Sequence, residues 1–501
     1  MVSRNVVDTV DTMEAREVTK REIMESIAEQ AFPDNDPMYL IDVGEVIRKH
    51  RVWKELLPKV EPFYAMKCNP DPVIMKMLAS SLNTGFDCAS REEMQLAIEL
   101  GVSPDRIIYA NPCKAPSHLR YAKSVGVDLM TFDNEDELCK IKQVYPNARL
   151  VLRVLTDDSY SVCRLGVKFG ADPRRVFCLL QTAKEMDLDV VGISFHVGSG
   201  CYNSDAFLDA LRVARAGFDA GAEMGFNFTL LDIGGGFPGT DDAVISFAEI
   251  CSVLTDGFAR YFPQEKFAHV RIIAEPGRYY VAASHSLAVN VFARRQIQGD
   301  SDSDLRLERE DSGVSGSSDI ESGPNTANDT WHADRSDDEN LTQSQAELAV
   351  KFMYYVNDST YASFNSIIND HAIVVPQVLK KAEEPKSKHL SVLGSADDEQ
   401  LYACSVWGPT CDGLDCINKE ATLPRLAVGS WLRFDEMGAY TCAASSRFNG
   451  FQLAGKRYIN TEVNTDALVD EVLTGLGLTP MEYVCDILTE GKVQAGAALC
   501  N

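Results

Sequence analysis

Lys67 closes the run Phe63-Tyr64-Ala65-Met66-Lys67, an apolar stretch of β-strand character. A lysine at the end of a buried strand either snorkels to water or works where it stands. Burial disfavours the ammonium form, and a lysine neutralised in that way attacks carbonyl carbons and forms a Schiff base. Snorkelling accounts for most such lysines, so the case for chemistry rests on residues further along the chain. Gly234-Gly235-Gly236 comes after the apolar run 230–233 and leaves backbone N–H groups free to approach an anion. Glu275-Pro276-Gly277-Arg278 succeeds the next apolar run. A carboxylate there suits the nitrogen of a pyridine ring, whose protonation makes the ring an electron sink. The planar fork of Arg278 suits a phosphate. In Ser194-Phe195-His196-Val197-Gly198-Ser199-Gly200, the histidine can stack on a flat ring and Ser199 can bond a phosphate. Cys411-Asp412, in the Gly/Pro-rich stretch 407–415, sets a proton donor beside a cation anchor. Tyr440, after Gly438-Ala439, can reach a phosphate or simply pack. Taken singly, these have plainer readings: a tight turn, a structural Glu–Arg pair, a satisfied histidine, a surface Asp-Gly loop. Lys67, the glycine run, Glu275 and Arg278 together match what pyridoxal phosphate (PLP) asks of a protein.

These residues fall at the ends of apolar runs. Strand candidates are 62–66, 106–109, 129–132, 149–154, 190–195, 230–233 and 271–274, with an eighth at 84–87. Amphipathic stretches lie between them at 91–100, 117–125, 135–144, 174–186 and 204–224. Alternating strands and helices imply a parallel sheet, and eight such units predict an α/β fold with a (β/α)8 TIM-like barrel over 38–285. Residues just past each barrel strand form the active face. A second, mostly antiparallel β domain is expected over 286–465. It is interrupted by a Ser/Asp/Gly-rich segment at about 297–346 that reads as a disordered acidic insert. Between Asp300 and Asn340 this segment carries 13 acidic residues against three arginines. An N-terminal segment, 1–37, partly joins the β domain, and 466–501 forms a tail that begins with a helix-like stretch at 465–473.

The chain has 501 residues and a formal charge of −26, which argues against a nucleic-acid binder. No apolar run reaches the ~18 residues of a membrane span, and the first twenty residues lack a signal-peptide core. The 14 cysteines show no Cys-x-x-Cys pair, so neither a metal site nor a disulfide framework is suggested. Reduced thiols in a cytoplasmic protein are the simplest account.

Segments 63–69, 85–90, 109–114, 195–200, 231–239, 275–281, 407–415 and 438–441 together resemble the eukaryotic ornithine decarboxylase family, PLP-dependent barrel decarboxylases, over about residues 35–455. The resemblance implies that Lys67 carries PLP as a Schiff base. It implies that Glu275 pairs with the ring nitrogen and that His196 stacks on the ring. Ser199, Gly234, Gly235, Gly236, Arg278 and Tyr440 would hold the phosphate, and Gly277 would also bind the cofactor. Asp87, Glu93 and Arg153 would surround the lysine and the ring. Cys411 would protonate the carbon left by CO2. Asp370 and Asp412 would bind the distal amine of L-ornithine, with Asn369, Tyr361 and Phe448 around the substrate. It also implies a homodimer in which Cys411 and Asp412 enter the partner's site, and an antizyme-binding surface at about 111–140.

Family members often show Tyr-Asp-His where this chain has Asn369-Asp370-His371. That keeps a lysine- or arginine-preferring decarboxylase in view. A non-catalytic binding protein of the antizyme-inhibitor type is the other alternative, weakened by the presence of Lys67, His196, Glu275, Arg278, Cys411 and Asp412.

Overall fold

The computed structural model describes residues 17–18, 20–29, 36–241, 244–297, 352–384 and 400–478. The chain enters through β1 (Met38–Asp42) and the helix Val43–Leu56, then alternates strands and helices. Next come β2 (Val60–Ala65), β3 (Gly85–Cys88), β4 (Ile107–Tyr109), β5 (Leu129–Phe132) and β6 (Arg149–Arg153). After them come β7 (Ser161–Cys163), β8 (Asp189–Ser194), β9 (Ser199–Cys201), β10 (Leu230–Asp232) and β11 (Arg271–Ala274). Eight of these close into a parallel barrel in the order β10-β11-β2-β3-β4-β5-β6-β8. β7 and β9 form a small antiparallel ribbon beside it.

The barrel strands are covered on both faces, which is why they read as unbroken apolar runs rather than alternating ones. Phe63, Ile108, Leu129, Val151, Leu230 and Ile273, one from each of six strands, form a buried cluster of their own and fill the interior. Gly85 leaves room for the Phe63 ring, since a Cβ there would lie 2.6 Å from it. Outside the barrel, Trp53 is fully buried against Phe237, Phe247, Tyr279 and Tyr280.

The second domain comprises β12 (His285–Gln296), β13 (Phe352–Val356), β14 (Gln377–Lys380), β15 (Leu401–Trp407), β16 (Cys416–Pro424), β17 (Trp431–Phe434) and β18 (Gly455–Ile459). Its main path runs β14-β17-β12-β13-β15-β16, mostly antiparallel. The parallel pairs are β13 with β15 and β1 with β18.

β1 corrects the expected domain boundary. Met38–Asp42 pairs with β12 and β18, so the run placed at the start of the barrel belongs to the sheet. It is buried throughout because it is flanked on both sides by strands. The expected tail begins with the helix Asp466–Gly475, which buries Val469, Val472 and Leu473. Among the described residues no helix is long and apolar enough to cross a membrane.

The domains meet beneath Lys67. The Asn69 amide donates to Gly438 O at 2.8 Å, and Tyr440 N donates to Cys68 O at 2.9 Å. Asp71 caps the helix Pro72–Lys76 and accepts from Lys456 Nζ and the Tyr458 hydroxyl at 2.7 and 2.9 Å. The turn carrying Lys67 is therefore clamped by the sheet domain.

The acidic insert expected at 297–346 lies almost wholly outside the described residues. The described residues that flank it meet in the sheet: Gln296 and Phe352 are register partners on β12 and β13. The chain thus leaves and re-enters the sheet at one point. Deleting Ser301–Asn340 shortens a connection of about 55 residues to about 15, which lowers loop-closure cost by about 1 kcal/mol. The deletion variant should unfold in urea at least as late as the full chain and keep its activity within about two-fold. An early unfolding transition would show that the segment contributes to the fold.

Candidate active site

Lys67 lies just past β2, in the one-turn helix Met66–Cys68. Its ammonium is in close ion contact with Asp87, which ends up beside it because β3 neighbours β2. Asp232 and Glu275 come from the ends of β10 and β11 on the other side of β2. Asp87 Oδ1 and Asp232 Oδ2 are buried without a hydrogen-bond partner among the described residues. This crowding sets the charges. Burial opposes the Lys67 ammonium, but Asp87 and Glu275 outweigh it and raise the lysine above its usual range. In the cofactor-free site Lys67 is thus a paired cation rather than an amine neutralised by burial. Burial raises Glu275 well above the carboxylate range, with Asp232 and Asp87 adding to it. Burial likewise pushes Asp232 up to about 7.

His196 titrates well below its ordinary value, through burial first and then Arg153 and Lys67. Its Nδ1 accepts from Gly198 N at 2.9 Å, so the neutral ring carries its proton on Nε2. A flat, uncharged ring suits stacking. Arg153, at the end of β6, rests over the Phe169 ring at 5.2 Å. Glu93 accepts from Ala89 N, and burial raises its carboxyl.

The glycine run folds tightly against these groups. A Cβ on Gly234 (φ +62°) would meet Phe195 O at 2.2 Å. One on Gly236 (φ +107°) would meet Val197 at 2.7 Å. One on Gly235 would meet Glu275 O at 2.8 Å and His196 Nε2 at 2.9 Å. Gly235 and Gly236 share one cavity with Lys67, His196, Ser199, Glu275, Gly277, Arg278 and Tyr440. Sequence-predicted residues from five separate segments therefore converge, and Asp87, Arg153 and Gly234 stand behind them. Arg278 donates to Ser199 Oγ at 3.1 Å and lies over the Tyr440 ring at 5.2 Å, while its buried Nε has no acceptor among the described residues.

One expectation stands differently. Asp370, expected to receive a distal amine, is buried and bonded by Arg278 at 2.8 and 2.6 Å. It succeeds the short helix Ser366–Asn369, which brings it within reach of the guanidinium. The expected phosphate ligand and amine ligand thus satisfy each other. Cys411, Asp412, Tyr361 and Phe448 gather elsewhere, and none of them lines the Lys67 cavity. The Tyr361 hydroxyl is in close contact with Asp412, and its ring packs on Phe448 at 4.4 Å. Cys411 N donates to Asn449 Oδ1 at 3.1 Å, and the Cys411 residue is exposed. Asp415 accepts from Thr360 N at 2.8 Å and Thr410 N at 3.0 Å, holding this loop. Asn369 is exposed and reaches Asn365 Oδ1 at 3.4 Å.

Residues 43–282 match the family model described as pyridoxal-dependent decarboxylase, pyridoxal binding domain, and 279–438 match its C-terminal sheet domain. The chain belongs to the pyridoxal-dependent decarboxylases. Ornithine decarboxylase of Mus pahari is 47% identical over 426 residues, 85% of this chain and 81% of that one. Antizyme inhibitor 2 of Xenopus laevis is 46% identical over 440 residues, 87% and 84% of the two chains. The solved arginine decarboxylase of Paramecium bursaria Chlorella virus superposes with a TM-score of 0.71 at 31% identity, covering 88% of this chain and all of that one. The barrel match begins at 43, after β1, as the strand pairing requires.

PLP is the cofactor of this decarboxylase family. The lining suits it chemically: an amine, a glycine run whose backbone packs too closely on Phe195, Val197 and Glu275 for any side chain, an arginine with a spare donor and an acid beside a flat neutral ring. Asp232 is the buried acid at this site that sequence reasoning misses. Its signal is a lone acid in the apolar run Leu230-Leu231-Asp232-Ile233.

Asp232 also makes stability depend on pH. Its folded pKa of about 7 exceeds the unfolded value, so the folded state holds the extra proton between about pH 4 and 7. Stability of the cofactor-free protein should therefore fall as pH rises through that window. Asp232→Asn should flatten the slope by about 1.4 kcal/mol per pH unit, read from urea unfolding at pH 5, 6 and 7. An unchanged slope would place that proton elsewhere.

Proposed function

We propose that this protein decarboxylates L-ornithine to putrescine and CO2, with each active site shared between two copies of the chain. One observation carries the reading: a cavity that gathers Lys67, Glu275 and Arg278 and a separate exposed cluster at Cys411 and Asp412 coexist in one chain. A second copy can supply to the first what its own fold keeps apart.

Bound PLP supplies an electron sink for the carbanion left when CO2 departs. Lys67 would be the amine that holds the cofactor. Asp87 receives the lysine's charge when the nitrogen is free. Glu275, backed by Asp232, keeps a proton on the ring nitrogen. His196 lies against the ring face without adding charge. The glycine cradle, Ser199, Tyr440 and Arg278 bind the phosphate. Arg278 would bind the phosphate, and Asp370 would bind the substrate's distal ammonium together with the partner's Asp412. The partner's Cys411 delivers the proton to the carbon that lost CO2.

Two carboxylates suit a substrate with a second ammonium group, and the similarity to curated ornithine decarboxylases selects ornithine among such substrates. Residues 111–140, which include the helices Pro116–Val125 and Glu135–Val144, are assigned as the antizyme-binding surface on the family resemblance. The antizyme-inhibitor reading, which the Xenopus laevis relative raises, is disfavoured because Lys67, His196, Glu275, Arg278, Cys411 and Asp412 are all present in the chain.

CO2 release from ornithine, lysine and arginine tests the substrate. Ornithine should lead in kcat/KM by at least about ten-fold, the 1.4 kcal/mol that one misplaced charged contact costs. Lysine turnover equal to that of ornithine would reassign the substrate, and no release from any would favour the non-catalytic reading. Mixing inactive Lys67→Ala with inactive Cys411→Ala chains should restore about a quarter of wild-type activity, since one site in each mixed dimer is intact and half the dimers are mixed. Absence of recovery after demonstrated subunit exchange would contradict the shared site.

A further inference from the structure

The barrel has a second cavity at its opposite end. His50, Lys54, Glu61, Pro62, Leu82, Asn83, Gly85, Arg106 and Arg271 line a pocket of about 210 Å3. Glu61 and Pro62 lie in β2, Gly85 begins β3, Arg106 precedes β4 and Arg271 begins β11. The Lys67, Asp87 and Glu275 site sits past the other ends of these strands. Two to six residues separate the two sets along each strand, and the buried Phe63 cluster fills the barrel between them, so this is not an extension of the PLP site.

The pocket is cationic in a strongly acidic chain. Lys54, Arg106 and Arg271 face it against one carboxylate, Glu61. That carboxylate is already taken: Arg271 Nε and Nη2 bond it at 2.9 and 2.5 Å. Asp105 lies near both arginines but does not line the pocket. Lys54 has no anionic partner among the described residues. Arg106 uses Nη2 on Ala79 O and Thr84 O, and its buried Nε has no acceptor among the described residues. His50 Nδ1 is occupied by the Tyr280 hydroxyl at 3.0 Å, which leaves Nε2 free for the pocket. Burial and Lys54 push His50 down to about 4, a pressure that an anion would relieve.

We propose that this mouth of the barrel binds a small dianionic oxyanion of the phosphate class through Lys54, His50, Arg106 and Arg271. Planar guanidinium groups match tetrahedral oxyanions, and a lysine adds a point charge. The volume is below the ~300 Å3 at which drug-sized ligand pockets begin, which excludes a nucleotide and suits free phosphate or a small phosphate monoester.

Calorimetric titration of dialysed, PLP-saturated protein tests the proposal, with inorganic phosphate in one arm and glycerol phosphate in the other. Chloride at matched ionic strength is the control. Saturable binding of about one ion per chain is expected, absent with chloride. Tighter binding of the ester would identify a phosphate monoester as the occupant, and tighter binding of phosphate the free ion. Lys54→Gln, at an exposed position, should weaken either by about ten-fold, the effect of losing one charged contact. His50→Gln should weaken it further, while decarboxylation at saturating substrate stays unchanged in both variants. No saturable heat, or the same affinity in Lys54→Gln and wild type, would overturn the proposal. The second outcome would assign the heat to the cofactor's own phosphate site.

Discussion

One arrangement of charge underlies the site: an ammonium held among three buried carboxyls at the ends of adjacent strands. Asp87, Asp232 and Glu275 would each cost several kcal/mol to bury alone as anions. The barrel resolves this with two cations, Lys67 and Arg153, and by raising Glu275 and Asp232 so that the pair retains a proton. The state of Lys67 is then set by its neighbours. Burial alone predicts a neutral amine, and the acids reverse that outcome. A site in this state is ready for a cofactor that brings a positively charged ring nitrogen and a carbonyl.

The sheet domain contributes by holding the turn. Asn69, Cys68 and Asp71 are fixed by Gly438, Tyr440, Lys456 and Tyr458, so the strand end cannot relax away from Asp87. Arg278 and Asp370 link the same domains at the opposite wall of the cavity. Their pairing makes the phosphate ligand and one substrate carboxylate mutually dependent, so loss of either alters the other's charge environment. The cavity is thus built by two domains, although nearly all of its lining comes from the barrel.

Much of this is legible in the chain because barrel chemistry sits at fixed places. Apolar runs end where active residues begin, so Lys67, the glycines after β10 and Glu275 after β11 are found by reading just past each strand. β5 and β11 match the expected bounds, and the others differ by one or two residues where pairing frays. β1 is misplaced because an apolar run carries no record of which sheet it joins. The charge of Lys67 is hidden because Asp87 and Glu275 lie 20 and about 200 residues away and meet it only through strand order. Asp370 reads as free for the same reason, since Arg278 is distant in sequence. The chemistry of Cys411 and Asp412 is legible, and the loop held by Asp415 keeps them outside the Lys67 cavity of their own chain.

The central claim is that Lys67 is the amine that carries the cofactor. Borohydride reduction of the PLP-loaded protein, followed by peptide mass mapping, tests it directly. The account predicts a single pyridoxyl group on the peptide containing Lys67, and none in Lys67→Ala. A label on another lysine, such as the buried Lys114, or an unlabelled Lys67 in active protein, would contradict it.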